Sequence, residues 1–321
     1  MPTHKTQLLV IGGGPGGYAA AFRAADLGMS VTIVDDDDRL GGTCLIRGCI
    51  PSKALLHLAA VISETRESAP HGLKFGPPEI DLDAVRAFKD GVVDKLTGGL
   101  DGLARQRKVK HVKGRASFGS SQRAIISGNT EIDSIEYDYA IVATGSRPAS
   151  IPMFEIDSDR VLDSTSALEL KDIPESLLVV GGGYIGLELG LVYAELGSKV
   201  TVVEMTDGLL PGADRDLVAP LQKRLTGLFD NILLKTAVRK VESGKDGVTV
   251  TMDGDKGLVE QKFDKILVSI GRRPNSEGLG LDNTSVVLGE RGFIEADDQQ
   301  RTADSRIFAI GDVAGGGLAH Q

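Results

Sequence analysis

The stretch Gln7-Leu8-Leu9-Val10-Ile11-Gly12-Gly13-Gly14-Pro15-Gly16-Gly17 decides the fold. Its apolar run predicts a buried strand, and the glycines open an alanine-rich segment, Tyr18 to Leu27, that predicts a helix. This is G-x-G-x-x-G between a strand and a helix, the context in which the pattern means dinucleotide binding. Gly12 makes the tight turn, Gly14 admits a pyrophosphate to the backbone, and Gly17 lets helix and strand pack closely. Phosphate charge is then stabilised at the helix N-terminus. The next strand, Ser30 to Val34, ends at Asp35, which stands 23 residues after Gly12 and can accept hydrogen bonds from a ribose.

The pattern returns at an offset of 169 residues. Leu177 to Val180 predict the strand, Gly181-Gly182-Gly183-Tyr184-Ile185-Gly186 the turn and Leu187 to Leu196 the helix. Lys199 to Val203 predict a second strand, ending at Glu204. A lone glycine pattern is weak evidence, but two with matching strands, helices and acidic ends predict two bound dinucleotides. The predicted fold class is α/β, with two Rossmann-like dinucleotide-binding domains, each carrying a β-meander and a crossover. Glu204 would repel a ribose 2′-phosphate, so the second turn is expected to prefer NAD to NADP.

Between the two patterns, Leu82 to Gln106 predicts a long helix broken near Gly98-Gly99. Val109 to Ile132 predicts short strands turning at Gly119-Ser120 and Gly128-Asn129, and Tyr139 to Ala143 a buried strand closing on Thr144-Gly145. The second half echoes this with hairpins around 244–247 and Asp253-Gly254, then a strand Lys265 to Ile270 ending at Gly271-Arg272-Arg273-Pro274. That ending matches Gly145-Ser146-Arg147-Pro148. A last strand, Arg306 to Ile310, ends at Gly311-Asp312, where the carboxylate either binds sugar hydroxyls or simply shapes a turn. The expected division is 1–149, 150–279, and a return segment 280–321 that completes the first domain.

A net charge of -9 without clustered lysines argues against nucleic acid. The run Asp35 to Asp38 reads as a solvated loop apart from its first residue. With neither a signal-peptide core nor an apolar stretch judged long enough to span a bilayer, a soluble cytoplasmic protein with no membrane contact is expected.

Directly after the first pattern comes Gly41-Gly42-Thr43-Cys44-Leu45-Ile46-Arg47-Gly48-Cys49-Ile50-Pro51-Ser52-Lys53, which holds both cysteines. In an undistorted helix their Cα atoms would stand roughly 8 to 9 Å apart, beyond the roughly 7 Å that a disulfide tolerates. A bridge needs a bent turn, and Gly48 permits one. A disulfide formed there would be strained, which marks the easily reduced kind. Lys53 follows Cys49 by one helical turn, and a cation and a helix N-terminus both favour thiolate. Two inert, buried thiols are the competing reading, and the position of the pair behind a nucleotide turn weighs against it.

Together these residues resemble the flavoprotein disulfide reductases, most closely their dihydrolipoamide dehydrogenase branch, over essentially all 321 residues. The specific part is Gly-Gly-Thr-Cys-x4-Cys-Ile-Pro-Ser-Lys at 41–53, since glutathione reductases usually carry another residue where Ser52 stands. Ile46-Arg47 departs slightly from the commonest wording and leaves the cysteine roles untouched. The resemblance implies FAD in the first fold, at Gly12, Gly14, Gly17, Asp35, Gly42, Thr43, Lys53, Thr144, Gly145, Asp312 and Ala319. It implies NAD in the second, at Gly181, Gly183, Tyr184, Ile185, Gly186, Glu204 and Gly271. It further implies a redox disulfide in which Cys44 exchanges with dihydrolipoyl thiols and Cys49 passes electrons to the flavin, which gives hydride to NAD. Lys53 would lie near the flavin and pair with Glu188, Tyr184 would cover the nicotinamide pocket, and Leu318-Ala319-His320 would begin a helix against the flavin. Read without the resemblance, these are a surface lysine, a helix glutamate and a packing tyrosine. The implied partners are the lipoyl-bearing acyltransferase of a 2-oxo acid dehydrogenase complex or glycine cleavage system and, at full length, a second copy of the chain.

Members of that branch continue into a further domain carrying the dimer interface and a histidine-glutamate pair for thiol exchange. This chain stops nine residues after Asp312, so a truncated form with poor lipoamide turnover is expected. Its five histidines, at 4, 57, 71, 111 and 320, offer no substitute and no metal-ligand spacing. Other readings fit less well. A thioredoxin-reductase type would carry C-x-x-C in its second fold, a mercuric reductase would need a further cysteine pair, and a non-catalytic FAD and NAD binder would leave the cysteines idle.

Overall fold

The computed structural model describes residues 3–255 and 257–315. Its helices, in chain order, are α1 (Pro15–Asp26), α2 (Gly42–Arg47), α3 (Cys49–Glu67), α4 (Leu82–Gln106), α5 (Ser164–Leu168), α6 (Tyr184–Leu196) and α7 (Arg215–Leu228). Packing divides the chain into two units. Of the described residues, the first takes 3–49, Val93–Arg147 and 272–315; the second takes Ile50–Val92 and Pro148–Gly271.

In the first unit, Lys110–Lys113, Val31–Asp35, Thr3–Ile11 and Ser134–Val142 lie side by side in that order, all parallel. Ile307–Ala309 adds a parallel strand beside the second half of Ser134–Val142, and the hairpin Arg115–Ser120 and Arg123–Ser127 extends the sheet from its first half. Leu8 and Val10 point into one apolar cluster, with Ala21 and Ala24 of α1 and Ala104 of α4. Leu9 and Ile11 point into the opposite one, with Phe118, Ile135, Ile294 and Ile307. Burial on both faces explains why the strand reads as a continuous apolar run rather than an alternating one.

In the second unit, the parallel order is Asn231–Leu233, Lys199–Val203, Ser176–Val180, Lys265–Val268 and Val161–Leu162. One face packs on helices, through residues such as Leu55 of α3, Leu189 and Val192 of α6, and Leu225 of α7. The other is covered by the antiparallel meander Ala237–Gly244, Gly247–Gly254 and Gly257–Phe263. Its Val248, Val250, Met252 and Phe263 meet Leu178, Val180 and Ile266 of the parallel sheet.

Four expectations need adjustment. Helix α4 runs unbroken through Gly98 and Gly99. Both glycines face open space, while Val93, Thr97 and Ala104 on other faces are buried, so packing outweighs a propensity cost of about 1 kcal/mol per glycine. The turn expected at Gly119-Ser120 falls at Ser121-Gln122 instead, because an irregularity between Phe118 and Ser120 carries the strand further. By packing, 50–92 goes with the second unit rather than the first, since Leu55, Leu56, Ile62, Leu82 and Val85 join its helical core. Finally, residues 42–67 are long and apolar enough, by composition, to cross a bilayer. The stretch is interrupted at Gly48, buries Leu55 and Ala59 in protein, and carries Lys53, Arg66 and Glu67 in ion pairs.

Candidate redox and dinucleotide sites

The two glycine turns are built by the same contacts at the same 169-residue offset. Gly12 and Gly181 each have φ +107°, and a methyl group there would lie 2.3 Å from Ala143 O and 2.4 Å from Ser269 O. At the third glycine of each turn, a methyl group on Gly17 would lie 1.9 Å from Gly12 O, and one on Gly186 2.6 Å from Gly181 O. The N–H of Gly13 donates to Asp35 Oδ2 at 2.5 Å and that of Gly182 to Glu204 Oε2 at 2.7 Å. The second carboxylate oxygens accept from Asp37 N and Thr206 N, both at 2.8 Å. Gly41 N donates to Gly13 O and Leu210 N to Gly182 O, each at 2.9 Å.

The middle glycines behave differently, and this tests whether a dinucleotide fits. Gly183 meets nothing within 4 Å, and for Gly14 the nearest atom to an added methyl is Gly42 Cα at 3.8 Å. No protein contact demands glycine at either position. A ligand drawn against the backbone there would, and helices α1 and α6 begin at the next residue, where a helix N-terminus favours negative charge. Asp35 and Glu204 are already oriented by backbone N–H groups. Burial nonetheless pushes the Asp35 carboxyl above the usual carboxylate value, against the pull of the Gly13 and Asp37 N–H bonds.

The repeat ends at residue 41, where the second unit continues Leu210-Pro211 and the first continues into the cysteines. Gly41 and Gly42 have φ +145° and +58°, and a methyl on Gly42 would stand 2.5 Å from Gly14 Cα, so α2 starts directly against the first glycine turn. Cys44 and Thr43 are half-buried within α2, Cys49 is exposed at the first position of α3, and the chain bends at Gly48 between them. A side chain at Gly48 would stand 2.9 Å from Thr43 O, so the bend requires glycine. Arg47 forms an ion pair with Asp37, which ties α2 to the loop after Asp35. Asp36 and Asp38 are solvent-exposed, as expected of this run, and pair with Arg115 and Lys113, while the carboxylates of Asp35, Asp36 and Asp37 come within 4.8 Å of one another. Burial, and then the charge of Cys44, raise the phenol of Tyr18 on α1 above its ordinary value.

Elsewhere in the first unit, Thr144 donates its hydroxyl to Asn275 O at 2.7 Å, and Asn275 N and Nδ2 return bonds to Gly145 O and Thr144 O. Asp312 accepts a hydrogen bond from Ser146 at 2.5 Å. Ser146, Arg272 and Asn275 were missed by sequence reasoning; the echo between 145–148 and 271–274 was the only signal for the first two, and Asn275 had none. In the second unit, Lys53 Nζ lies 2.7 Å from both oxygens of Glu188, and Ser52 Oγ donates to Glu188 Oε2 at 3.4 Å. Tyr184 and Ile185 open α6, and Gly271 (φ +117°) accepts from Ala149 N at 2.9 Å. A cavity of about 410 Å³ beside Phe154, Leu162, Asp163 and Val268 contains none of the expected site residues. Ala319, with Leu318 and His320, lies outside the described residues.

The family model for pyridine nucleotide-disulphide oxidoreductases matches residues 6–321. The chain is 47% identical over 312 residues to a dihydrolipoyl dehydrogenase of Vibrio parahaemolyticus, covering 97% of this chain and 66% of that protein. It is 43% identical over 318 residues to a dihydrolipoyl dehydrogenase of Geobacillus stearothermophilus, covering 99% and 67%. Among solved structures, LpdA from Mycobacterium tuberculosis superposes with a TM-score of 0.87 at 28% identity, covering 98% of this chain and 70% of that one. The HOCl-induced flavoprotein disulfide reductase RclA from Escherichia coli gives 0.83 at 28% identity, covering 97% and 66%. The chain thus spans about two thirds of the length of the relatives that it matches.

Proposed function

Because the chain belongs to the pyridine nucleotide-disulphide oxidoreductases, we propose that it oxidises dihydrolipoyl groups through Cys44 and Cys49, with FAD in the first glycine turn and NAD in the second. The observation that carries this reading is the approach of Gly42 to Gly14, which seats the cysteine helix against the first dinucleotide turn.

In this reading the protein's own residues do the following. Cys44 and Cys49 form a disulfide across the bend at Gly48. A substrate thiolate attacks Cys44 Sγ, the Cys44–Cys49 bond breaks, and Cys49 leaves as a thiolate stabilised at the N-terminus of α3. The second substrate thiol then attacks the mixed disulfide, releasing lipoyl disulfide and the Cys44 thiol. Gly12, Gly14, Gly17, Asp35, Gly42, Thr43, Thr144, Gly145 and Asp312 would hold the FAD, and Gly181, Gly183, Tyr184, Ile185, Gly186, Glu204 and Gly271 the NAD. FAD supplies two-electron relay chemistry, so that the net reaction converts dihydrolipoyl and NAD⁺ to lipoyl, NADH and a proton. Glu204 has no cation in a position to accept a 2′-phosphate among its described partners, which supports NAD over NADP. Glu188 holds the Lys53 ammonium by both carboxylate oxygens and so keeps that charge fixed in place.

The lipoyl-bearing acyltransferase of a 2-oxo acid dehydrogenase complex or of a glycine cleavage system is the proposed partner, with a homodimer as the working assembly. A cytoplasmic setting goes with a cysteine pair kept exchangeable by ambient thiols.

The test is a single anaerobic turnover of the oxidised chain with dihydrolipoamide, with lipoamide counted by mass spectrometry. Wild type is expected to form lipoamide in proportion to protein, and Cys44→Ser to form none. Equal yields from both proteins would refute the assignment and favour a nucleotide binder whose cysteines are idle.

A further inference from the structure

Asp312 stands at the start of a short turn, Gly311–Ala314, entered through Gly311 at φ +71°. It is half-exposed, and among the described residues only Ser146 donates to its side chain, at Oδ2. Ser146 itself is buried at 3% exposure and begins the strand Ser146–Pro148, which pairs with Arg272–Pro274. Across that pair Arg272 reaches Ser146 twice: Nε to Oγ at 2.7 Å and Nη2 to the backbone oxygen at 2.7 Å.

The chemistry of these groups fixes the direction of every bond. A guanidinium only donates, so its Nε–H must occupy a lone pair of Ser146 Oγ. A hydroxyl has one proton, and here the carboxylate of Asp312 takes it. The hydroxyl therefore cannot rotate toward another acceptor, and it is polarised from both sides by charged groups. The Arg272 fork is rigid because its second arm holds the Ser146 carbonyl, so the serine is fixed in backbone and side chain together.

Resting on the reading that the first turn holds FAD, we propose that Arg272 is a positioning residue for the flavin site. Through the Ser146 hydroxyl it fixes the Asp312 carboxylate, which leaves Oδ1 presented to the hydroxyls of the flavin's sugar-alcohol chain. Arg272 touches no ligand in this scheme; it acts only by deciding where the serine proton points. A simple staple between two crossover strands would look similar, but it would tie the strands together whether or not Ser146 carried a hydroxyl.

The discriminating experiment is a double-mutant cycle on the full chain, read as FAD affinity. Wild type, Ser146→Ala, Arg272→Met, the double variant and Arg273→Met are stripped of flavin, titrated with FAD by fluorescence quenching, and melted without flavin. Each single variant is expected to weaken FAD binding by about tenfold or more, the loss typical of one charge-assisted hydrogen bond. The double variant is expected to bind no more weakly than Ser146→Ala, because both changes remove the same oriented proton. Removal of the neighbouring guanidinium in Arg273→Met is expected to leave FAD affinity within about twofold. Losses that multiply in the double variant would overturn the inference, as would FAD binding by Ser146→Ala equal to wild type. Where Arg272→Met does not fold, Arg272→Lys takes its place in the cycle, since an ammonium keeps the charge but lacks the fork that holds Ser146 Oγ and the Ser146 carbonyl together. A wild-type chain with no affinity for FAD would overturn the flavin reading itself, and this inference with it.

Discussion

Asp35 shows how a half-buried carboxyl can work against the fold that holds it. Burial raises its pKa above the ordinary value near 3.8, so the folded chain holds that proton more tightly than the unfolded chain. The contribution of such a group favours folding at low pH, and this advantage is lost as pH rises from the unfolded value through the raised folded one. Denaturant unfolding of the flavin-free chain should therefore show wild type losing stability relative to Asp35→Asn from about pH 4 upward, then running level with it above the folded pKa. A constant difference across the range would mean that the carboxyl is not perturbed. The glycines give a second prediction at this scale. A methyl on Gly17 would sit 1.9 Å from Gly12 O, so Gly17→Ala is expected to cost about 3 kcal/mol in urea unfolding, while Gly183→Ala, in open space, costs little stability and instead weakens NAD. Gly12, Gly17 and Asp35 were legible in the sequence because motif spacing alone brings them together. Ser146, Arg272 and Asn275 were not, because their partners lie more than a hundred residues away and no local pattern announces them.

Among the elements, α3 carries the most consequential contacts. Its Arg66 pairs with Glu195 of α6, whose side chain is 2% exposed. Removing the cation strands a buried carboxylate, and Arg66→Met is expected to destabilise the protein by about 3 kcal/mol. Lys53, one helix but three and a half turns earlier, is 56% exposed in its own ion pair, and Lys53→Met is expected to change stability by less than about 1 kcal/mol. Thermal melts of the two variants side by side check both values, and comparable losses would mean that exposure does not govern these pairs. Most elements were readable from apolar period and glycine punctuation. The failures share one cause. Gly98-Gly99 in α4 and Gly119-Ser120 in the hairpin looked like breaks by propensity, but neighbouring residues buried on the sheet held the helix and the strand in place.

At the level of the whole chain, one turn has been built twice and then put to different uses. The two copies share glycine conformations, acid orientation and the bond that closes the following loop, and they part at Gly41 and Leu210. Sequence alone showed the duplication and the place of the cysteines. It did not show that 50–92 packs with the second unit, since the apolar residues responsible are ordinary helix-face leucines, isoleucine and valine. The central claim is that flavin, cysteine pair and NAD communicate in this chain, and an absorption spectrum recorded during anaerobic addition of NADH to the purified protein tests it most directly. The expected result is a yellow protein in which NADH raises a long-wavelength band from the Cys49 thiolate beside the flavin, and in which Cys49→Ser shows no such band. A colourless protein, or a flavin that NADH bleaches without that band, would contradict the account.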